Sequence, residues 1–479
     1  MRRTSRTVIA AVLCCVLHAA AADTPVGTQW QHEDVAVFRE KFLRIDRSFS
    51  PEARSAAEAR LEKIERAAQP LKPAAFAVEL CRIAALADNG HTQCLPGNVG
   101  KAVCERFSAL VTDDSPWCHL VKPDAAITDF ENVPISFHPF GSEFHVTGID
   151  AKHEELLGAR LIAVDGKPIE SIRATLRTFA GGTVAHRDEV AASVLTQPQQ
   201  LHVVEIADRE NAVTYTFRLQ REPAVERVLS LSIDAVKPAR WKQLPAPEQA
   251  PWSYQEPAKP FRLRDAPELD AVVVQLRQIL DSQDEKISDF LERSERQRAK
   301  SGRRNVVLDL RANGGGNFLQ AREFMMNWPT RVPGQFYVLT SRQTFSAAIT
   351  SIAYLKQAGA TRVKIVGEPA GDRLVFHSDG LPVQLPHSGL FFLPAVVRMD
   401  YENGCRQYDD CFEGIAPVGR PTATSLLKVP EDLPRIPVAV SSIEPDVFVP
   451  ETIEAWLQGE DSAMTALIRL VGISEAGAP

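Results

Sequence analysis

Two loops in the second half of the chain place a serine and a run of glycines where they could catalyse hydrolysis. The segment NVVLDL (305–310) reads as a buried strand that runs into three glycines, and QFYVLTS (335–341) reads as a strand that leads to Ser346. Neighbouring parallel strands end at one edge of a sheet, so the two loops are predicted to lie side by side. The amides of Ala347 and of the glycine loop would then stabilise negative charge on a carbonyl that the Ser346 hydroxyl attacks.

Other uses of these residues have weaker support in the sequence. A serine at a helix start commonly caps the helix with its hydroxyl. A glycine run after a strand can also cradle phosphate, but neither GxGxxG nor a glycine loop followed by Lys-Ser or Lys-Thr is present. An α/β-hydrolase would carry GxSxG, whereas the segment around Ser346 reads TFSAA.

The section from 268 to 475 alternates strand and helix patterns. ELDAVVVQL, NVVLDL, QFYVLTS and RVKIVGE read as strands, and helical patterns separate them. This order predicts a parallel sheet with right-handed crossovers. Asp309 and Arg311, beside the glycine loop, are predicted to form a buried structural pair that supports it.

The sequence before this section has a different character. Residues 30–120 read as helical, with an Asn-Gly stop signal directly before His91. Residues 130–222 contain four predicted strands, with a hairpin turn at Asp165-Gly166. These strands are FHVTGI, RLIAVDGKPI, LHVVEI and VTYTFRL. Residues 223–265 are rich in proline and glutamine, which indicates a connector.

Length, composition and charge narrow the class of protein. The chain has 479 residues, of which 44% are hydrophobic and 24% are charged, as in a globular protein of several domains. Its formal charge of -7 argues against a nucleic-acid partner, because phosphate binding depends on Lys and Arg. Residues 1–22 combine arginines, a short apolar stretch and small residues, which predicts a cleaved secretory signal. No later apolar run is long enough to predict a membrane span.

The cysteines indicate disulfides. An even number remains after residue 22, and this count in an exported chain favours bridges. Cys405 and Cys411 are a plausible local pair. The other four are expected to staple one subdomain, and they are Cys81, Cys94, Cys104 and Cys118. A zinc site with nearby histidines is the alternative, although no CxxC motif is present.

The ordered segments VVLDLRANGGGN, YVLTSRQTFSAA and KIVGEPAGDR resemble the catalytic domain of the C-terminal-processing and tricorn-core serine peptidase family. LADNGHT resembles the family's DGHT element, and LLGARLIAVDGKPIESI resembles its PDZ-like module. The resemblance implies a ClpP/crotonase-like α/β core with a helical N-terminal region and a PDZ-like module. The implied division is a signal peptide (1–22), a helical N-terminal domain (23–125), a PDZ-like domain (126–225), a connector (226–267) and an α/β peptidase core (268–479).

Two catalytic plans occur in this family, and they differ in the base that activates the serine. One plan uses a lysine, but the corresponding region reads GEPAGDR (367–373) and contains none. Arg373 cannot replace it because a guanidinium stays protonated. Lys356 and Lys364 are predicted to lie on the wrong side of that loop. The other plan uses a histidine of the DGHT-like element, which favours His91.

By this resemblance Ser346 is the nucleophile, His91 is its general base, and Gly315 and Ala347 supply the oxyanion amides. In the tricorn-type pattern a serine precedes the histidine, and here the residue is Gly90. The group that orients His91 is therefore open.

Further candidates remain for the carboxylate and for the base. Glu413, in EGIAP, is the leading candidate for the carboxylate that the tricorn-type pattern includes, and Glu402 is the second. His377 and His387 are rivals of His91, because they follow the strand predicted to lie nearest the serine.

Together with the predicted secretory signal, the resemblance implies an exported, periplasmic serine peptidase that cuts peptides or unfolded proteins through an acyl-enzyme and needs no metal or organic cofactor. One alternative is a catalytically inactive peptide-binding protein on the same scaffold. The other is a hydrolase of esters or small acyl groups. The PDZ-like module would capture a peptide C-terminus by strand addition, or would act only as a lid or spacer.

Overall fold

The computed structural model describes residues 28–95, 100–101, 130–220, 224–234, 240–246, 248–407, 411–412 and 436–476. The α-helices are α1 (Thr28–Val37), α2 (Pro51–Glu65), α3 (Pro73–Ala84), α4 (Ile169–Leu176), α5 (Val184–Val194), α6 (Pro198–Val203), α7 (Ile287–Ser301), α8 (Leu319–Arg331), α9 (Ala347–Gly359), α10 (Ile453–Gln458) and α11 (Ser462–Ala476). None of the helices in these ranges is both long enough and apolar enough to cross a bilayer.

The strands are β1 (Gln93–Leu95), β2 (Ile135–Phe140), β3 (Glu143–Asp150), β4 (Arg160–Val164), β5 (Lys167–Pro168), β6 (Ala212–Arg218), β7 (Glu226–Ser232), β8 (Trp241–Gln243), β9 (Phe261–Ala266), β10 (Ala271–Leu276), β11 (Asn305–Asp309), β12 (Phe336–Thr340), β13 (Val363–Gly367), β14 (Val375–Asp379), β15 (Val383–Gln384), β16 (Phe391–Leu393), β17 (Ala395–Asp400) and β18 (Val447–Phe448).

Six strands form the main sheet, in the order β18-β13-β12-β11-β10-β9. Strands β10 to β13 and β18 run parallel, and β9 at one edge runs antiparallel to β10. The predicted parallel sheet is therefore confirmed. Because β11 and β12 are neighbours, the loops that follow them leave the sheet at the same edge.

The main sheet is buried on both faces, as its continuous apolar strands predict. Val306 and Leu308 lie in the core between one face and α7, α8 and α9. Val307 and Leu339 lie in the core between the other face and α11. Burying one such side chain stabilises the fold by about 1.5–3 kcal/mol, so the packed layers fix the strand ends.

The predicted ion pair at the end of β11 is present. Nη2 of Arg311 lies 2.9 Å from Oδ2 of Asp309, and both side chains are buried. Nη1 of Arg311 also lies 2.7 Å from Asp461, which directly precedes α11. Burial opposes the ionisation of Asp461, but Arg311 outweighs this effect and lowers the pKa of that carboxyl to about 2. These charges tie the loop after β11 to the C-terminal helix.

A second sheet is antiparallel, in the order β2-β3-β4-β6-β7, with β5 beside β4 and β8 beside β3. It shares a core with α4, α5 and α6 that includes Phe144, Val164 and Tyr215. The strand predictions for FHVTGI, RLIAVDGKPI and VTYTFRL are confirmed. Asp165 and Gly166 both have positive φ, as the predicted hairpin turn requires.

The strand predicted for LHVVEI (201–206) is wrong, because α6 covers its first half. Pro198 suits the first turn of this helix, where its missing N–H costs nothing. Leu201 and Ile206 are buried in the core of the second sheet. The valines favour a strand locally, but tertiary packing decided the structure here.

The segment predicted as a connector, residues 226–267, instead contributes strands to both sheets. β7 pairs with β6 along its whole length at the edge of the second sheet. β9 forms the antiparallel edge of the main sheet. The described prolines of this segment lie outside the strands, since proline cannot donate to a sheet ladder.

The N-terminal helices position the loop that carries His91. α1, α2 and α3 share a core with Phe392 of β16. A 3₁₀ turn follows α3, and Asp88, with φ of 50°, ends the helical path. β1 then pairs with β16. A disulfide joins Cys81 of α3 to Cys94 of β1 and closes this loop.

The predicted Cys405–Cys411 bridge is also present. Cys104 and Cys118 lie outside the described residues. Of the four N-terminal cysteines, the described residues therefore include one bridge, between Cys81 and Cys94.

We expect loss of the Cys81–Cys94 bridge to destabilise the fold by about 2–5 kcal/mol, because the bridge restricts the unfolded chain. The double variant Cys81→Ser, Cys94→Ser should therefore unfold at a lower denaturant concentration than the parent protein. Cys405→Ser with Cys411→Ser is the matched control and should lose less, since its sequence separation is 6 rather than 13. Equal unfolding midpoints for the parent and the first variant would contradict the structural role.

Candidate active site

The turn after β12 is fastened to the loop after β11. Thr344 Oγ1 donates a hydrogen bond to the carbonyl of Leu310 at 2.9 Å. The Phe345 N–H donates to the carbonyl of Asn313, also at 2.9 Å. The two loops predicted to lie side by side therefore do so, and their shared bonds fix the entry to Ser346.

Ser346 lies where this turn enters α9. Its φ of 57° and ψ of -123° place it in a region that side chains rarely adopt, at a cost of order 1–3 kcal/mol. Its hydroxyl makes no capping hydrogen bond to the helix. The capping role considered from the sequence is therefore wrong, and helix capping does not explain the strained backbone of Ser346.

Gly315 lies directly against Ser346. A Cβ atom added at Gly315 would lie 2.5 Å from Cβ of Ser346, 2.9 Å from its Oγ and 3.0 Å from the nitrogen of Ala347. Gly315 also has a φ of +103°, which glycine adopts without steric cost. The structure thus brings together three of the residues singled out in the sequence.

The two candidate oxyanion amides differ in their present partners. The Ala347 N–H belongs to the first turn of α9, where amides have no acceptor within the helix. The Gly315 N–H donates to Oδ1 of Asn313 at 2.9 Å. Nδ2 of Asn313 donates to the carbonyl of Leu276 at 2.9 Å, so this side chain is itself fixed. A substrate oxygen would share or replace the Asn313 acceptor at Gly315.

Gly315→Ala should lower the reactivity of Ser346 towards a serine-directed fluorophosphonate by about 10²-fold or more, because the added methyl group would displace Oγ. Gly314→Ala is the matched control, since a Cβ there would meet no heavy atom within 4 Å. The rate of labelling is the measurement, with circular dichroism as the test of folding. Parent-like labelling of a folded Gly315→Ala protein would contradict the close packing.

His91 reaches the serine turn from the loop between α3 and β1. Its imidazole stacks on Phe345, with ring centroids 4.5 Å apart, and on Phe376, with centroids 4.9 Å apart. Phe345 directly precedes Ser346. The structure therefore brings the loop of His91 and the turn of Ser346 together, although they are far apart in sequence.

A carboxylate lies beside this imidazole. Nδ1 of His91 is 3.1 Å from Oδ2 of Asp372, and the side chains are 13% and 2% exposed. The contact does not have the angles of a hydrogen bond, and in the described part of the chain Nε2 of His91 has no partner either. Hydrogen bonds of catalytic groups are commonly poorly aligned in the free enzyme and tighten only when substrate binds.

Asp372 is not among the site residues predicted from the sequence, where the segment GEPAGDR is evaluated only for a catalytic lysine. The available signal was the position of the aspartate after β13, the next parallel strand beyond β12, whose end lies at the same edge of the sheet.

Gly90, where the tricorn-type pattern has a serine, has a steric explanation. A Cβ atom there would lie 2.8 Å from both Cε2 and Cζ of Phe345. The adjacent Asn89 accepts from the His377 N–H and donates to the His377 carbonyl, both at 3.1 Å. The glycine lets the phenyl ring close on the loop, and the asparagine fixes the loop to β14.

The rival histidines lie elsewhere. Phe376 directs its ring at His91, so His377, the next residue of β14, points to the other face of the strand. Nε2 of His387 lies 2.6 Å from Glu33 of α1. Lys356 and Lys364, the lysines considered for the other catalytic plan, both form ion pairs with Asp446. These pairs lie near the start of β13, whereas Asp372 follows the end of that strand.

Of the candidate carboxylates from the sequence, Glu413 lies outside the described residues. Glu402 is exposed and lines a cleft of about 570 Å³ that Asp372 also borders. Thr183 and Ile443 line the same cleft from other parts of the chain. Its volume lies within the range typical of ligand sites.

The comparison with solved structures identifies the fold. No family model matches the chain, and no curated protein matches it. The structure of a CPAF mutant aligns with a TM-score of 0.55 at 12% identity, covering 94% of this chain and 98% of that chain. Mature CPAF complexed with lactacystin aligns with a TM-score of 0.52 at 12% identity, covering 93% and 98%. The chain therefore has the mixed α/β fold of CPAF.

Proposed function

We propose that this chain is an exported serine peptidase that hydrolyses peptides or unfolded proteins through an acyl-enzyme on Ser346. The observation that carries the proposal is the geometry of this serine. Its backbone has a positive φ that side chains rarely adopt, its hydroxyl does not cap α9, and Gly315 packs against it. Strain of this kind concentrates at functional positions. The fold shared with CPAF supplies a scaffold, and the side chains supply the argument for activity.

In the proposed reaction, Nε2 of His91 takes the hydroxyl proton while Oγ of Ser346 bonds to the carbonyl carbon of the scissile peptide. The carbonyl electron pair moves onto oxygen. When the intermediate collapses, the C–N bond breaks and His91 returns the proton to the leaving amine. Water, activated by the same imidazole, then cleaves the ester and restores the serine.

The developing oxyanion would accept hydrogen bonds from the amides of Ala347 and Gly315. The Ala347 amide gains from the positive end of α9. Loss of one such donor typically lowers kcat by about 10²–10³-fold, so the pair would supply a large part of the rate enhancement. The bond from Gly315 to Asn313 keeps the glycine amide oriented until a carbonyl oxygen arrives.

Asp372 takes the role for which Glu413 and Glu402 were candidates. Its carboxylate, 3.1 Å from Nδ1 of His91, would keep the imidazole proton on that nitrogen and leave Nε2 free to accept a proton. It would also stabilise the imidazolium that forms. Little water reaches either side chain, which strengthens the attraction.

The substrate and the location belong to the same proposal. The cleft that Asp372 borders is the proposed place for part of the peptide, because Asp372 in turn lies 3.1 Å from His91. The antiparallel second sheet and its helices are the proposed PDZ-like module. Thr183, the N-cap of α5 in this module, lines that cleft. Two disulfides among the described residues support an oxidising compartment such as the periplasm.

A fluorophosphonate probe tests the proposal directly. The parent protein should be labelled, and Ser346→Ala should not. His91→Ala should label and turn over about 10²–10⁴-fold more slowly, because the general base is lost. A folded parent that does not react would favour a peptide-binding protein. Turnover of short esters but not of casein fragments would favour the ester hydrolase.

Asp372→Asn should lower kcat by about 10²–10⁴-fold, because an amide neither stabilises the imidazolium nor favours the required tautomer. Asp446→Asn is the matched control, since this carboxylate pairs with lysines near the start of β13. Steady-state kinetics and thermal unfolding of both variants separate lost catalysis from lost folding. An unchanged kcat for Asp372→Asn would contradict the role and direct attention to Glu402.

A further inference from the structure

Four flat rings form one contiguous group beside Ser346. His91 stacks on Phe345 at an interplanar angle of 25° and on Phe376 at 9°. His186 also stacks on Phe345, with centroids 5.0 Å apart and an angle of 19°. We call these four residues the ring cluster. Phe345 is its central member, because it contacts both imidazoles and is covalently joined to the serine.

His186 belongs to α5, which packs on the second sheet. The first turns of α5 contact the three loops that carry Ser346, His91 and Asp372. Thr183, the N-cap, donates to the carbonyl of Gly371, one residue before Asp372, at 2.8 Å. The other two contacts are the ion pair of Arg187 with Asp88 and the 2.7 Å hydrogen bond from Gln343 to Glu189.

The residues directly before α5 approach the loop of His91 so closely that only glycine fits there. A Cβ atom added at Gly181 would lie 2.6 Å from the nitrogen of Asn89. One added at Gly182 would lie 3.1 Å from Cα of Gly90. The backbones are therefore in direct contact, which leaves His186 little freedom to move relative to the loop of His91.

We propose that His186 is a positioning residue for the reaction on Ser346. Its imidazole holds the ring of Phe345, and Phe345 in turn holds the imidazole of His91 and the backbone of Ser346. The inference rests on the proposed function. If His186 positions Phe345, then α5 contributes directly to the active site and is not only a lid or spacer.

The ring of His186, rather than its charge, carries this role. Burial lowers the pKa of His186, an effect that Asp372 opposes and His91 reinforces. The neutral form of His186 is therefore favoured, and it stacks without placing a positive charge beside the imidazolium that would form on His91 during the proposed reaction. A phenyl ring has the same flat shape and should replace the imidazole.

The test compares His186→Ala with His186→Phe. The alanine variant should lose about 10–100-fold in kcat and in the rate of fluorophosphonate labelling, with KM nearly unchanged, because misplacement of reacting groups lowers the rate of chemistry. The phenylalanine variant should stay close to the parent protein. His153→Ala, which removes a histidine of the same module outside the ring cluster, should behave as the parent protein.

Parent-like kinetics of His186→Ala would overturn the inference, and so would a phenylalanine variant as slow as the alanine variant. If His186→Ala does not fold, His186→Leu replaces it, since leucine fills the space without a flat ring and should also be slow. Ser346→Ala separates the two proposals. A parent protein that labels at Ser346 leaves the proposed function intact whatever His186 does, whereas a folded parent that does not label removes both.

Discussion

The close approach of Gly315 to Ser346 is the constraint on which the site depends. It requires β11 and β12 to be adjacent and parallel, so that their following loops meet at one edge. It also requires a residue without a side chain, since a Cβ atom would lie 2.5 Å from that of the serine. The hydrogen bond from Phe345 to Asn313 and the ion pair of Asp309 with Arg311 hold the two loops in this position. The strain at Ser346 persists because its surroundings are fixed.

Three successive strands of the main sheet each supply one part of the candidate machinery. The loop after β11 carries Gly315, the turn after β12 carries Ser346, and the loop after β13 carries Asp372. This repetition follows from parallel topology, because β11, β12 and β13 all end at the same edge. His91 is the exception, since it comes from the helical N-terminal region and must be brought in by packing.

That packing is largely aromatic. Stacked rings rather than polar bonds connect His91 to the serine turn in the described part of the chain. Aromatic pairs typically contribute about 0.5–1.5 kcal/mol beyond their buried area. The Cys81–Cys94 bridge limits the loop from one side, and Asn89 fixes it to β14 on the other. The ring cluster then extends this arrangement to His186. The second sheet is thereby joined to the candidate active site through contacts that also hold the loop of Asp372.

The sequence by itself determined the parallel strands, the glycine loop, the serine turn and the candidate histidine, because these depend on local periodicity and short motifs. It predicted a strand for LHVVEI, where packing of Leu201 produced a helix, and a connector where edge strands form. Asp372 and His186 emerged only from the tertiary structure. A carboxylate becomes a partner of His91, and an imidazole a partner of Phe345, only through contacts between residues distant in the chain. Local sequence patterns do not specify the distances between side chains that are far apart in the chain. Sheet topology and side-chain packing determine those distances.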